Sequence, residues 1–317
     1  QKQSLLKDKP ITYLQDKIKY NEPIDLDTNK DGYISIKEYL HDKESIGENE
    51  ISKGMFSNFN SRSLGIIFIL TLVLNHRGPI HKIACIPDYY LCIYKDINGT
   101  LYTKNSNSKI CDRRGLIHGS RFNRAAISIV NAPRSKSNTY NGTILIPPNF
   151  IQVINKCMKD NKYMVVCNLN LFESNDFDNI SHANVLLFDL KHKTIERFDP
   201  HGGSSAYYEG YSAAYNQDLI DKNLKKQFGK LLPDFDFYDT NETCPRFGPQ
   251  LKSDKFGGLC VTWSMMYMLL RLLNPKLSPD EITSKMTNGT PGEILYKVLR
   301  FQKYAIQTLQ EQKTNML

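Results

Sequence analysis

The seven cysteines of this 317-residue chain include no pair at the Cys-x-x-Cys spacing. Structural zinc sites are commonly built from such pairs, so their absence argues against one. The number of cysteines is odd and they are scattered along the chain, which predicts reduced thiols and a cytoplasmic location. Each thiol therefore has to be considered by itself.

Long apolar runs and internal repeats are also absent. The most apolar run, residues 64–74, has eleven residues, whereas a membrane-spanning helix needs about 20. The content of 40% hydrophobic and 23% charged residues is that of an ordinary soluble globular protein. The net charge of +8 would suit an acidic protein surface or nucleic acid, but it is spread along the chain and is a weak signal. We expect no membrane span.

Cys260 stands where a polar, glycine-bearing loop turns into an apolar helix, in the stretch FGPQLKSDKFGGLCVTWSMMYMLLRLLNP (residues 247–275). Backbone N–H groups at a helix start lack partners, and their partial positive charge favours a thiolate. Gly257 and Gly258 allow a close approach to that helix end, which leaves room for a substrate backbone. This pattern favours a nucleophilic cysteine. The alternative is that Cys260 is a small buried apolar residue.

A predicted hairpin upstream offers the partners that such a nucleophile needs. In SHANVLLFDLKHKTIERFDPHGG (residues 181–203), His182 stands at the start of the first strand and Asp199 at the end of the second. These positions lie side by side in an antiparallel pair, so the carboxylate can orient the imidazole and stabilise its charged form. His201 is a second candidate for the base. In the alternative interpretation His182 is a surface residue and Asp199 opens an Asp-Pro turn.

The order His182, Asp199, Gln250, Cys260 resembles that of clan CE cysteine peptidases, which include adenovirus proteinase and the SUMO- and ubiquitin-like-protein proteases. The wording FDPHG followed by GGLCVTWSMMYMLLRLLNP is similar to the thiol proteases of giant DNA viruses such as mimivirus. The resemblance covers residues 64–275 and depends on these two stretches. The residues beside the cysteine depart from the Asp-Cys-Gly pattern of the family, and Gln250 lies farther from the cysteine than is usual there.

The resemblance implies a cysteine peptidase in which His182 is the base, Asp199 orients it and Gln250 donates to the oxyanion. Such an enzyme would cleave peptide or isopeptide bonds after Gly-Gly-type sequences and would need no cofactor. Its substrate would be ubiquitin, another ubiquitin-like modifier or a viral structural precursor, so the enzyme would be a deubiquitinase or a processing protease of the host cytoplasm or the virion. Trp263 and the two glycines before Cys260 are candidate walls of a narrow substrate channel.

Two other functions stay open at this point. The first is acetyl transfer, because a group of bacterial effector acetyltransferases resembles clan CE and uses a related set of His, acidic and Cys residues. The second is a non-enzymatic, calcium-binding interaction module in which the three residues have no joint role.

Residues 1–60 contain one metal-binding pattern. Six residues match the first, third, fifth, sixth, eighth and twelfth positions of an EF-hand loop: Asp27, Asn29, Asp31, Gly32, Ile34 and Glu38. Oxygen atoms at alternate positions converge on the ion, and the carbonyl of Tyr33 adds a further ligand. We predict a structural Ca²⁺ site that takes no part in the chemistry. The alternative is a solvated acidic turn.

The expected fold is α+β, with a mostly antiparallel central sheet that carries His182 and Asp199 and packs against the buried helix that presents Cys260. Residues 1–60 would form a small helical EF-hand-like region, and residues 61–317 a papain-like peptidase domain of the clan CE type. Helices are predicted over residues 150–159, 218–228 and within 278–310, and a strand over residues 163–171.

Overall fold

The computed structural model describes residues 79–85, 127–134, 136–147, 150–172, 182–203, 215–253 and 259–315. Its helices are α1 (Pro79–Ile83), α2 (Phe150–Lys159), α3 (Gln217–Leu231), α4 (Thr240–Thr243), α5 (Pro249–Ser253), α6 (Cys260–Leu273), α7 (Pro279–Thr287) and α8 (Pro291–Asn315). Its strands are β1 (Ala84–Cys85), β2 (Ile127–Val130), β3 (Thr143–Leu145), β4 (Met164–Leu171), β5 (His182–Asp189), β6 (Thr194–Phe198) and β7 (Asp236–Tyr238).

The seven strands form one sheet in the order β3-β2-β4-β5-β6-β7, and β1 pairs with the end of β4 that β2 leaves free. The central strands β4, β5 and β6 are antiparallel. However, β1 and β2 run parallel to β4, and β7 runs parallel to β6. The sheet is therefore mixed, and the prediction of a mostly antiparallel sheet was wrong. The reason at β7 is that α3 lies between β6 and β7 in the chain, and a helical crossover produces parallel strands.

Helices cover both faces of this sheet. Along β5, Val185 and Leu187 belong to the apolar core that contains α6, whereas Leu186 and Phe188 belong to the core that contains α2 and α3. Successive side chains of a strand point to opposite faces, so a strand covered on both sides is apolar throughout. Each large apolar side chain buried in this way contributes about 1.5–3 kcal/mol relative to an exposed one. The two cores hold β5 and β6 rigidly between them.

The helix α6 is enclosed along nearly all of its length. Twelve of its 14 residues are buried. It packs against β5, and the Ser264 hydroxyl donates to the Ala183 carbonyl at 3.2 Å. The partly buried residues are the two at its ends, Cys260 and Leu273. The packing therefore leaves Cys260 at the edge of the core, at the end of α6 that lies beside the start of β5.

Local sequence signals predicted most of these elements. The hairpin of β5 and β6 is confirmed, and the predicted bounds of α2 match the structure. The helix α3 begins one residue before the predicted start, because the side chain of Asn216 caps it by accepting from Leu219 N–H. The predicted start at Ser278 is confirmed as well, since Ser278 and Glu281 form a capping box at the start of α7.

Cys85 and Cys157 form a disulfide between β1 and α2, with their Cα atoms 5.6 Å apart. The prediction that all thiols are reduced was therefore wrong for this pair. The chain runs from α2 directly into β4, and β1 pairs with the start of β4, so the two buried cysteines meet. Of the other cysteines among the described residues, Cys167, Cys244 and Cys260 form no disulfide.

The EF-hand-like loop lies outside the described residues, together with its predicted ligands Asp27, Asn29, Asp31, Tyr33 and Glu38. The same holds for the proposed boundary at residue 60. Among the helices of the described ranges, none has both the length and the apolar character that crossing a membrane requires.

Candidate active site

Cys260 is the first residue of α6, as predicted. The residue before it, Leu259, makes no side-chain capping hydrogen bond, and the first turn contains no acidic residue. The side chain of Leu259 therefore does not cap the N–H groups of this turn, and no carboxylate within the turn offsets their partial charges. Cys260 is half-buried between the buried residues Leu259 and Val261. This environment suits a nucleophile that a substrate must reach.

His182 and Asp199 meet as the hairpin predicts. His182 is the first residue of β5, Asp199 follows β6 directly, and Nε2 of His182 lies 2.7 Å from Oδ1 of Asp199. The thiol of Cys260 lies close enough to the same imidazole to raise its pKa. Three residues from three separate elements therefore form one interacting series of Cys260, His182 and Asp199, in which His182 and Asp199 are hydrogen-bonded.

The charges of this series hold His182 in its protonated form. Burial opposes the charge of the imidazole, because His182 is almost fully enclosed. The Asp199 carboxylate and Cys260 outweigh this effect and raise the pKa of His182 to about 10. At neutral pH the ring is therefore an imidazolium that can donate from both nitrogens.

The Asp199 carboxylate accepts hydrogen bonds at both of its oxygens. Oδ1 accepts from His182 and from the backbone N–H of His201 at 2.8 Å. Oδ2 accepts from Nε2 of Gln217 at 2.8 Å and from Nη2 of Arg197 at 3.3 Å. Burial would raise the pKa of Asp199, but the charge of His182 and these donors hold it well below its usual range. Asp199 therefore stays ionised and fixed in orientation.

The guanidinium of Arg197 extends this arrangement to α3. It donates to Asn184 Oδ1 at 2.7 Å, to Gln217 Oε1 at 2.6 Å and to Asp221 Oδ1 at 2.8 Å. Sequence reasoning missed Arg197, Gln217 and Asp221. A signal was present, because an arginine inside a strand that is buried requires buried acceptors, but it does not say which helix supplies them.

His201, the second candidate for the base, lies at the same site. Its ring stacks on that of His182, with centroids 3.9 Å apart and planes 12° from parallel. Burial and the charge of His182 lower the pKa of His201 to about 3, against the opposing pull of Asp199. His201 is therefore neutral near pH 7. The histidine that interacts with Cys260 is His182.

His182, Asp199 and His201 bring one ligand atom each to within 4.8 Å of the others, a spacing at which a metal ion could be held. The lone pairs of an imidazole lie in the plane of its ring. Two rings stacked nearly parallel direct these pairs within two separate, nearly parallel planes, so they do not converge on one ion at the ~2.0–2.1 Å that zinc requires. Asp199 also has both oxygens engaged. The cluster does not fit a metal ion.

Gln250 lies in α5, and a tight crossing of two loops ties this helix to Asp199. The N–H of Gln250 donates to Pro200 O at 2.9 Å, and Gly248 N–H donates to His201 O at 2.8 Å. A Cβ added at Gly202 (φ +106°) would lie 2.3 Å from Gly248 N, so both of these segments need glycine at the crossing. The side chain of Gln250 is buried, and its Oε1 has no hydrogen-bond partner among the described residues.

Of the three predicted channel walls, Trp263 lies among the described residues. Trp263 is fully buried in the α6 core, because that helix is enclosed on all sides, so this part of the prediction was wrong. Gly257 and Gly258 lie outside the described residues.

The chain is similar to a curated protein of Acanthamoeba polyphaga mimivirus that bears the name "Putative ankyrin repeat protein". The two are 26% identical over 163 residues, which are 46% of this chain and 20% of the relative. The chain thus spans about a fifth of the length of the relative. No protein-family model matches the chain, and no solved structure does. Ankyrin repeats are stacked helical pairs, whereas the described residues form a sheet with helices on both faces.

These findings overturn the resemblance to clan CE cysteine peptidases. No protease family matches the chain, and the relative that is found carries an ankyrin-repeat name. The resemblance depended on two short stretches, and short motifs also recur in unrelated proteins. The function therefore has to follow from the geometry of the site.

Proposed function

We propose that this protein is a cysteine-type hydrolase that cleaves peptide or isopeptide bonds through Cys260. The observation that carries the proposal is that Cys260, at the start of a buried helix without a side-chain cap, lies beside the imidazole that Asp199 holds by a hydrogen bond. A thiol beside a charged imidazole, with a carboxylate fixed behind that imidazole, is the arrangement that activates a nucleophile.

Each residue has one role in the proposed reaction. The Cys260 thiolate attacks the carbonyl carbon, a C–S bond forms, and the electron pair of the C=O bond moves onto oxygen. When the C–N bond breaks, the imidazolium of His182 gives its proton to the leaving amine. Water then attacks the thioester, His182 takes a proton from that water, and the acid product leaves as the thiolate of Cys260 is restored. Asp199 holds the imidazole throughout and does not change its protonation.

The negative oxygen formed during attack needs donors. The backbone N–H groups of the first turn of α6 have no side-chain cap and lie beside the nucleophile, so they are the proposed oxyanion donors. Gln250 is the proposed additional donor through its Nε2, since its loop is tied by backbone hydrogen bonds to the segment that follows Asp199. Removing one such donor costs about 10²–10³-fold in turnover.

The thiol chemistry is tested first by selective labelling. We expect stoichiometric iodoacetamide at pH 6 to modify Cys260 before any other cysteine of the full chain, with the site read by peptide mass spectrometry. Cys244 provides an internal control, because burial raises the pKa of its thiol to about 12. Equal or slower labelling of Cys260 than of Cys244 would remove the basis of the proposal.

The substrate class is tested with probes that place an electrophile at the C-terminus of ubiquitin-like proteins, which end in Gly-Gly. We expect at least one probe to form an adduct at Cys260, and Cys260→Ser and His182→Ala to form none. A second set of assays uses viral precursor peptides with an internal Gly-Gly as substrates. Transfer of an acetyl group from acetyl-CoA to Cys260, without hydrolysis of any peptide, would replace the proposal by acyl transfer.

A further inference from the structure

We propose that His201 is a positioning residue: its ring lies face to face with that of His182 and holds the charged imidazole in the orientation that Cys260 requires. The inference rests on the proposed thiol chemistry, but it does not depend on which substrate the enzyme cleaves. His201 itself exchanges no proton in the reaction.

The stacked geometry supplies the positional part of the argument. The two rings are 3.9 Å apart and 12° from parallel, and His182 and His201 are 1% and 6% exposed. The ring of Tyr215 is also nearly parallel to that of His182, with centroids 5.9 Å apart. Contacts on the ring face prevent the imidazole from tilting, while its edge keeps both nitrogens free for Asp199 and Cys260.

Charge supplies the electrostatic part. Two imidazolium rings in face contact would repel each other, so one of the two must be neutral. The Asp199 carboxylate and the Cys260 thiol raise the pKa of His182 and so stabilise its protonated form. Burial and the charge of His182 keep His201 uncharged. A cation on the face of a neutral aromatic ring is attracted by the electrons of that ring. His201 therefore stabilises the imidazolium that the reaction uses.

The backbone holds His201 beside both His182 and Asp199. Its N–H donates to Asp199 Oδ1 at 2.8 Å, so the residue that covers the imidazole also orients the carboxylate. The close crossing at Gly202 and Gly248 fixes this segment, because a side chain at either glycine would collide with the backbone of the other segment. The segment from Asp199 to Gly203 thus acts as one rigid unit.

Two substitutions of similar bulk separate a stacking role from simple packing. His201→Phe keeps an aromatic face and removes both nitrogens, whereas His201→Leu fills the space without an aromatic face. The first measurement is the rate of Cys260 alkylation by iodoacetamide between pH 5 and 8. We expect His201→Phe to stay within about threefold of the natural protein and His201→Leu to be about tenfold slower, the factor that a face-on aromatic contact to a buried cation supplies.

The second measurement follows the ¹⁵N resonances of the His182 ring during a pH titration, and it needs neither a reactive thiol nor a substrate. We expect His182 to lose its proton about one pH unit lower in His201→Leu than in His201→Phe, which is the same tenfold difference. Melting temperatures of both variants control for folding.

Equal titration of His182 in the two variants would overturn the proposal, since packing alone would then explain the contact. Loss of reactivity in His201→Phe to the level of His201→Leu would also overturn it, because an imidazole nitrogen of His201 would then be required. An unreactive Cys260 in the natural protein would refute the proposed function, and the titration of His182 would still decide the role of His201.

Discussion

Glu196 and Arg197 are neighbours in β6, and their side chains enter two buried charge networks on opposite faces of the sheet. The α6-face network consists of Glu196, Tyr267 and Arg271, with the guanidinium donating to both carboxylate oxygens at 2.9 and 2.5 Å. The α3-face network consists of Arg197, Asn184, Gln217, Asp221 and Asp199, and it ends at His182. One network closes on itself, and the other ends at the candidate active site.

Their charge balance differs. The α6-face network has one carboxylate and one guanidinium, so it is neutral without further partners. The α3-face network has two carboxylates, Asp199 and Asp221, for the single guanidinium of Arg197. A buried excess negative charge is costly, and the proton on His182 cancels it. The comparison explains why His182 stays charged although it is buried.

The largest expected effect on activity separates the two carboxylates. Asp199→Asn should lower turnover about 10²–10⁴-fold, because the amide can no longer hold the imidazole charged and oriented. Glu196→Gln should leave turnover nearly unchanged, since that side chain reaches only Tyr267 and Arg271. Steady-state kinetics on the best substrate from the probe panel checks this. Similar losses in both variants would mean that the comparison reflects general fold damage.

A second expected effect concerns stability on the α6 face. Arg271→Met removes the guanidinium and leaves the buried carboxylate of Glu196 with only the Tyr267 hydroxyl. Breaking a buried ion pair from one side costs about 3–5 kcal/mol of unfolding free energy. Urea unfolding measures this, and Cys260 alkylation in the folded protein should keep its natural rate. The double variant Glu196→Gln/Arg271→Met should recover part of the loss, because no unpaired charge remains.

The sequence predicts local features of this site but not the contacts that depend on how distant elements pack together. His182, Asp199 and Cys260 were predictable because a strand start, a strand end and a helix start are local features. The partners of Arg197 were not, since Gln217 and Asp221 lie on a helix whose docking depends on the whole sheet. The parallel pairing of β7 escaped prediction for a related reason: three residues carry too little periodicity to show their direction.

The pH dependence of stability sharpens the charge argument. The folded pKa of His182, about 10, is above the unfolded value of 6.5. Its contribution is therefore complete below pH 6.5 and is lost as the pH rises through 10. In the natural protein, the proton that the proposed Cys260 thiolate has released offsets the proton that His182 holds. We therefore expect the unfolding free energy of the natural protein to change little with pH between pH 6.5 and 8.5.

Cys260→Ala removes this offset. The folded variant then binds one proton more than the unfolded chain, so its unfolding free energy should fall by up to about 1.4 kcal/mol per pH unit over the same range. Urea unfolding at pH 6.5, 7.5 and 8.5 measures the slope, and Cys260→Ala/His182→Phe should abolish it. A steep slope already present in the natural protein would show that Cys260 keeps its proton.

The smallest expected effects come from two hydroxyl deletions, one in each network. Thr240 Oγ1 donates to Asp221 Oδ2 at 2.7 Å, and the Tyr267 hydroxyl donates to Glu196 Oε2 at 3.0 Å. Thr240→Val and Tyr267→Phe each remove one hydrogen bond to a buried carboxylate, so each should cost about 1.5–3 kcal/mol of unfolding free energy. Cys260 alkylation should stay within about twofold in both, because Asp221 keeps the Thr240 N–H and Arg197. If Thr240→Val slowed alkylation tenfold while Tyr267→Phe did not, the functional part of the α3-face network would extend beyond Arg197 into α4. Equal and small effects would place its limit at Arg197, where the guanidinium screens Asp199 from changes farther along the network.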